Sequence, residues 1–172
     1  MNTINKTMNK TIKLITLGVL FSQSMAVNAA TEVNPEHKGR NDYFAKSYQP
    51  LCAMPTKVIA TASTLDAASQ QEFILDKQLG FETKLNAKGE TYIQLAIKEW
   101  DEKFIVGVTP KVQVTMAGAD VLGADIVNLQ CEKQNQNQYL THLNTHEWGS
   151  YTLKLTGKPN EAVKVQIITT DM

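Results

Sequence analysis

Apolar and polar residues alternate along much of this chain, most regularly after residue 90. Because successive side chains of a β-strand point to opposite faces, a period of two indicates a half-buried strand. The alternation runs through the segments ETYIQLAIK, KVQVTM, SYTLKLT and VKVQIIT. The side chains that it predicts to face a shared interior are Thr91, Ile93, Leu95, Ile97, Val112, Val114, Met116, Tyr151, Leu153, Leu155, Val163, Val165 and Ile167.

Shorter β-rich segments complete the pattern. They lie at 57–62, 71–77, 80–86, 104–108, 125–131 and 138–144. Turn-forming clusters separate the strands, among them NAKG at 86–89 and GKPNE at 157–161, and GADVLGAD at 118–125 is predicted to be a loop. About nine short strands at this spacing predict an all-β fold, an antiparallel immunoglobulin-like β-sandwich.

One segment also fits a helix. In STLDAASQQEFILDKQLG, Ser69 and Glu72 have the spacing of a capping box, and Gly80 would end the helix. A short helix near 66–79 is therefore the alternative to a strand at this point of the chain.

The N-terminal residues have the pattern of a secretory signal peptide. Lys6, Lys10 and Lys13 precede a short apolar run at 14–26, and small residues follow at Val27 and Ala29. The run is too short to span a bilayer, so we expect cleavage before Ala30 and no membrane span in the mature chain.

This pattern divides the chain into three parts. Residues 1–29 are the predicted signal peptide, 30–50 a polar and loosely held arm, and 51–172 a β-sandwich domain. A periplasmic or secreted protein is expected.

Charge and composition exclude several classes of protein. The chain has 17 basic and 17 acidic residues, so its formal net charge is zero. A nucleic-acid binder or a protein of anionic membrane surfaces would need a clustered excess of Lys and Arg. The composition is that of a globular domain.

The two cysteines, Cys52 and Cys131, predict one disulfide bond. Two cysteines in an exported protein most simply form one disulfide bond with each other. Neither cysteine has His or Asp neighbours at the spacing of a metal site.

The sequence gives little sign of catalysis. It has no G-x-S-x-G nucleophile elbow and no Gly-rich phosphate loop, so we expect a non-enzyme without a cofactor. His142 and His146, with Met54 and Met116, offer the imidazole and thioether ligands that suit copper, and a periplasmic copper-handling sandwich is one alternative.

Three aromatic residues are the candidate ligand contacts. Trp100 and Trp148 lie at strand ends beside turn residues, and Tyr92 points away from the apolar stripe of its strand. Flat rings at the rim of a sandwich can stack on a sugar. The alternative is that the two tryptophans cover the ends of the core.

Two segments resemble the accessory β-sandwich modules of bacterial α-amylases and pullulanases. In LNAKGETYIQLAIKEW and in the stretch from 128 to 167, the residues that match are Leu85, Gly89, Tyr92, Ile93, Leu95, Ala96, Trp100, Cys131, Gly149, Tyr151, Leu153, Leu155, Val163 and Val165. The resemblance implies a carbohydrate-binding module for α-glucan. It does not imply hydrolysis, because the catalytic barrel of those enzymes needs about 250 residues.

The expected function is therefore a non-catalytic, exported, carbohydrate-binding β-sandwich, with Trp100, Trp148 and Tyr92 as its stacking platform. Polysaccharide is the expected partner. The other alternative is a structural or interaction module of the cell envelope that pairs its edge strands with another envelope protein.

Overall fold

The computed structural model describes residues 34–134 and 137–170, and two β-sheets packed face to face make up about half of this part of the chain. The predicted all-β sandwich with one disulfide is confirmed. The strands are β1 Lys57–Val58, β2 Glu72–Leu75, β3 Gln78–Lys84, β4 Glu90–Ile97, β5 Glu102–Thr109, β6 Gln113–Met116, β7 Ala119–Val127, β8 Tyr139–Thr145, β9 Gly149–Thr156 and β10 Ala162–Thr169.

The six-stranded sheet has the order β1-β3-β10-β5-β8-β7, and the four-stranded sheet has the order β2-β4-β9-β6. Most neighbours are antiparallel, as predicted. Two pairs are parallel, β1 with β3 and β2 with β4, so each sheet is mixed. Parallel neighbours need a crossover connection. The chain makes these crossovers by changing sheet between β1, β2, β3 and β4.

The core between the sheets contains the side chains that the alternation predicts. Thr91 through Ile97 alternate buried and half-buried, and Val163, Val165 and Ile167 are fully buried. Tyr151 is half-buried and packs against the same cluster. Register and burial therefore agree with the period-two interpretation in β4, β6, β9 and β10.

Strands β5 and β8 are buried on both faces. A second apolar cluster lies on the outer face of the six-stranded sheet, where helices cover it. Its buried members are Tyr48, Leu51, Met54, Ile105, Ile126 and Leu140. Double burial explains why FIVGV shows a continuous apolar run and not an alternation.

The prediction of a loose arm at 30–50 is wrong for its described part, which forms two helices, α1 Pro35–Tyr43 and α2 Ala45–Leu51. Asn34 starts α1 by accepting a hydrogen bond from the Glu36 amide, with Pro35 in the first turn. Asn41 is buried, donates to the Val127 carbonyl and accepts from the Leu129 amide, 2.8 Å in each case. Hydrogen bonds such as these two of Asn41 hold this polar segment on the sheet.

The helix alternative near 66–79 is right in kind and wrong in extent. Helix α3 covers only Leu65–Ser69, and its N-cap is Thr64, whose hydroxyl accepts from the Ala67 amide. Ser69 lies at the end of this helix and Glu72 starts β2, so they do not form a capping box. Burial of Phe73 and Leu75 between the sheets outweighs local helix propensity here.

The segment GADVLGAD is not a loop, because it forms most of β7. Its register to β8 shifts twice, between Val121 and Gly123 and between Gly123 and Ile126. Such bulges break the alternation that sequence reading depends on. Cys131 was predicted on a strand with Val127 and lies instead in a 3-10 helix, Leu129–Gln134.

The disulfide joins Cys52, just after α2, to Cys131, with a Cα–Cα distance of 5.2 Å. It thus ties the helical layer to the segment that follows β7. The predicted signal peptide lies outside the described residues. No helix among the described residues has the length and apolarity needed to cross a membrane.

Candidate functional site

Trp100 and Trp148 lie at the same end of the sandwich. Ile97, the last residue of β4, pairs with Gly149, the first residue of β9. Trp100 follows Ile97 by three residues, and Trp148 directly precedes Gly149. The turns between β4 and β5 and between β8 and β9 are therefore neighbours. We call this region, 98–101 and 146–148, the tryptophan end.

Both indoles are exposed to solvent. Trp100 is 66% exposed and Trp148 is 63% exposed, so neither is buried as a cover of the core. Two exposed tryptophans at one end of a small domain are unusual, because large apolar side chains are normally withdrawn from water. Such groups mark candidate contact surfaces.

The backbone of these turns uses unusual conformations. Gly149 has φ of 151°, where a side chain would be strained. Asp101 has φ of 55°, a left-handed conformation that Asp tolerates better than most residues. These two residues let the chain turn sharply beside each tryptophan.

A polar network surrounds the tryptophan end. Asn144 donates to Asp101 Oδ1 at 2.8 Å, and Lys103 Nζ lies 3.1 Å from Asp101 Oδ2. The Asn144 hydrogen bond, followed by that of Lys103, holds the pKa of Asp101 below its usual value. His146 Nε2 lies 2.8 Å from Asp120 Oδ2. Asp101 directly follows Trp100, and His146 lies two residues before Trp148, so these donors and acceptors belong to the turns that carry the exposed rings.

A groove of about 380 Å³ opens beside Trp100. Its walls are mostly polar and are lined by Asp76, Lys77, Glu99, Trp100, Asp101, Glu102, Lys103, Thr169 and Thr170. These polar residues come from two turns, the start of β5 and the end of β10, which only the fold brings together, so the sequence gives no local sign of them.

Tyr92 is not part of the tryptophan end. It lies on β4 five residues before Ile97, which at about 3.4 Å per residue places it about 17 Å away along the strand. Its neighbour across the sheet is Lys154 on β9. The three predicted contact residues are therefore divided between an end and a face of the sandwich.

Tyr92 is held in a small charged cluster. Its hydroxyl donates to Glu90 Oε2 at 3.1 Å, and Lys154 Nζ lies 2.6 Å from Glu90 Oε1. The Lys154 hydrogen bond, then that of Tyr92, lowers the pKa of Glu90, and the bond to Glu90 raises the pKa of Lys154. The opposite charges are thus paired beside the ring.

Two grooves meet at Tyr92 and Leu65. One, of about 710 Å³, is lined by Ser63, Thr64, Leu65, Asp66, Asn86, Ala87, Lys88, Glu90 and Tyr92. The other, of about 480 Å³, is lined by Leu65, Tyr92, Thr115, Ala117, Ser150, Tyr151, Thr152 and Lys154. The second groove runs over the outer face of the four-stranded sheet.

The candidate copper ligands do not come together. His142 is buried with the Tyr48 hydroxyl 2.7 Å from its Nε2, whereas His146 is exposed at the tryptophan end. Met54 packs under the helices and Met116 packs between the sheets. Within the described residues, no three His, Cys, Asp or Glu side chains are grouped so that they could hold a metal ion.

A scan against protein-family models and a search of curated proteins both found no match.

Proposed function

We propose that this protein is an exported, non-catalytic carbohydrate-binding domain that holds α-glucan at its tryptophan end. The observation that carries the proposal is the pair of exposed indoles, Trp100 and Trp148, on adjacent turns. An indole ring can cover the apolar face of a sugar ring, and the favourable contact comes from apolar area removed from water.

The polar groups around the rings support the same ligand class. A sugar carries hydroxyl groups around a ring with apolar faces, so it needs donors and acceptors beside each stacking surface. Asp101 and Asp120 supply acceptors, and Asn144 and His146 hold them in place. The resemblance to amylase accessory modules names α-glucan as the first saccharide to test.

Export is part of the proposal. The disulfide between Cys52 and Cys131 supports it, since such bonds persist mainly in oxidising compartments such as the periplasm. The signal-like pattern of residues 1–29 points to the same location.

The test is a titration with soluble maltodextrin followed by tryptophan fluorescence and by calorimetry. Wild-type protein should show a saturable change at millimolar sugar or below. Trp100→Ala and Trp148→Ala should each weaken binding about tenfold, the equivalent of about 1.4 kcal/mol. The matched control is Tyr43→Ala, which removes an 81% exposed ring from the end of α1 and should bind normally. Wild-type protein that gives no signal with any glucan would refute the proposal.

A protein partner is the second candidate, and it rests on strand β7. This edge strand exposes Val121 (54%) and Leu122 (40%). Arg40 donates to the Leu122 carbonyl at 3.0 Å, and the bulges make the edge irregular, which limits strand addition. Capture of a defined envelope protein by wild type and not by Val121→Asp, together with no response to sugar, would favour this candidate.

A further inference from the structure

We propose that the outer face of the four-stranded sheet holds the continuation of the glucan chain, so that the protein binds an extended stretch of polysaccharide and not a single sugar unit. This inference rests on the proposed function of the tryptophan end. The sheet face is defined by six outward side chains, Tyr92, Gln94, Thr115, Ser150, Thr152 and Lys154.

The sheet face is continuous with the tryptophan end. Tyr92 pairs with Lys154, and four residues further along β4, Ala96 pairs with Ser150. The next pair, Ile97 with Gly149, borders the turns that carry the tryptophans. The outward side chains between the turns that carry the exposed indoles and Tyr92 are Gln94, Ala96, Ser150 and Thr152, which are uncharged and mostly small.

The path along the sheet face continues past Tyr92 through two grooves. The groove over the sheet face and the larger groove beside helix α3 share two lining residues, Leu65 and Tyr92. Leu65 is 58% exposed and stands at the edge of this path. An extended chain that lies on the tryptophan end can thus run along β4 and β9, pass the Tyr92 ring and reach the second groove.

The chemistry of the sheet face fits an uncharged, hydroxyl-rich chain. Thr152 donates to Gln94 Oε1 at 2.6 Å, and Ser150 donates to Glu72. Hydroxyl and amide groups of this kind exchange hydrogen bonds with sugar hydroxyls at little cost, because both partners were already hydrogen-bonded.

The one basic side chain among the six outward side chains is already paired. The Lys154 ammonium lies 2.6 Å from the Glu90 carboxylate, which makes it less available to an anionic chain. Apolar side chains are few and sit at the margins, which does not fit the apolar centre of a protein–protein interface. A neutral polysaccharide is the occupant that this pattern favours.

Distance gives the inference a measurable consequence. A ligand must span about 17 Å to contact both the tryptophan end and Tyr92. A short oligosaccharide can occupy only the tryptophan end. A longer oligosaccharide gains the contacts of the sheet face as well. It can also bind the tryptophan end in several equivalent positions, which alone raises its affinity in proportion to their number. The observed gain in affinity should exceed that factor.

The experiment compares maltose with maltoheptaose by calorimetry, on wild type, Tyr92→Ala and Thr152→Val. Wild type should bind maltoheptaose at least tenfold more tightly than maltose. Tyr92→Ala should lose most of that difference while its affinity for maltose stays unchanged, and Thr152→Val should lose part of it. Tyr43→Ala is the control and should keep the full difference. Both test positions face outward, so circular dichroism should show the wild-type fold.

Equal affinity of wild type for the two sugars would overturn the inference and leave the proposed function intact. The inference would also be overturned if Tyr92→Ala weakened the binding of both sugars equally, or of neither. Failure of wild type to bind either sugar would instead refute the proposed function itself.

Discussion

At the scale of single residues, the most unusual contact is buried beneath the helices. The Tyr48 hydroxyl lies 2.7 Å from His142 Nε2, and the Phe44 ring packs edge-on against the imidazole. Burial, followed by the positive charge of Arg40, lowers the pKa of His142 to about 4. Burial also raises the pKa of Tyr48 to about 12. Both groups are therefore neutral in the folded protein at neutral pH.

This contact predicts a loss of stability in acid. Because the folded pKa of His142 lies below its ordinary value of 6.5, the unfolded chain binds more protons as pH falls from 6.5 towards 4. The free energy of unfolding should decrease over that window, by up to about 3 kcal/mol, and this contribution should level off below pH 4.

The check is urea denaturation at several pH values for wild type and His142→Gln. The variant should show a shallower decrease between pH 6.5 and 4, whatever its absolute stability. Gly39→Ala, which changes no titratable group and has open space around it, should keep the wild-type slope. Parallel curves for wild type and His142→Gln would show that His142 does not titrate as the geometry requires.

Gly107 offers a second test at the same scale. A Cβ atom at this position would lie 2.8 Å from the Gln138 side chain, which is buried and donates to Gln166 Oε1 at 2.6 Å. Gly107→Ala should lower the free energy of unfolding by about 1–3 kcal/mol, because the buried amide must move. Thermal denaturation should show this loss, whereas Gly39→Ala, in helix α1 with open space around it, should be neutral or stabilising. A neutral Gly107→Ala would mean that Gln138 is not held at that place.

At the scale of elements, the helical layer is the part that sequence reading missed. Residues 35–51 are polar overall, and their anchors are few: Asn41, Tyr48 and Leu51 are buried. Single buried residues in a polar segment leave no periodic signal. The same limit applies to β7, whose bulges hide its alternation. Strands β5 and β8 are buried on both faces and lack a clear alternation, yet their β-rich segments were predicted correctly. Strands with one buried face, such as β4 and β9, were predicted correctly, because burial of one face is what produces a period of two.

The disulfide should stabilise this helical layer together with the whole domain. The two cysteines are separated by 79 residues in the sequence, and closing so long a loop restricts the unfolded chain. The double variant Cys52→Ala/Cys131→Ala should lose about 2–5 kcal/mol of unfolding free energy. Urea denaturation of oxidised wild type and of the double variant measures this difference in unfolding free energy. A difference below about 1 kcal/mol would contradict a structural role for the bond.

At the scale of the whole molecule, the strand pairing brings together the residues of the candidate site, which are distant in sequence. Trp100 and Trp148 are far apart in sequence, and nothing in their local context shows that they are neighbours. Pairing of Ile97 with Gly149 places both at one end, and pairing of Glu102 with Thr145 brings Asp101 and Asn144 to the same place. The sequence identified the aromatic residues. The sequence alone could not show that Tyr92 lies on a different surface from the tryptophans, because their separation depends on how far β4 extends between Tyr92 and Trp100.

If the two tryptophans contact the glucan together, their indole N–H resonances should report it. The chain has two tryptophans, so ¹⁵N-labelled protein should show two indole resonances, assigned with Trp100→Phe and Trp148→Phe. On titration with maltoheptaose, both resonances should shift along one saturable curve with a single dissociation constant. If neither resonance moves at saturating sugar, or if only backbone signals far from the tryptophan end respond, the tryptophans do not bind the glucan.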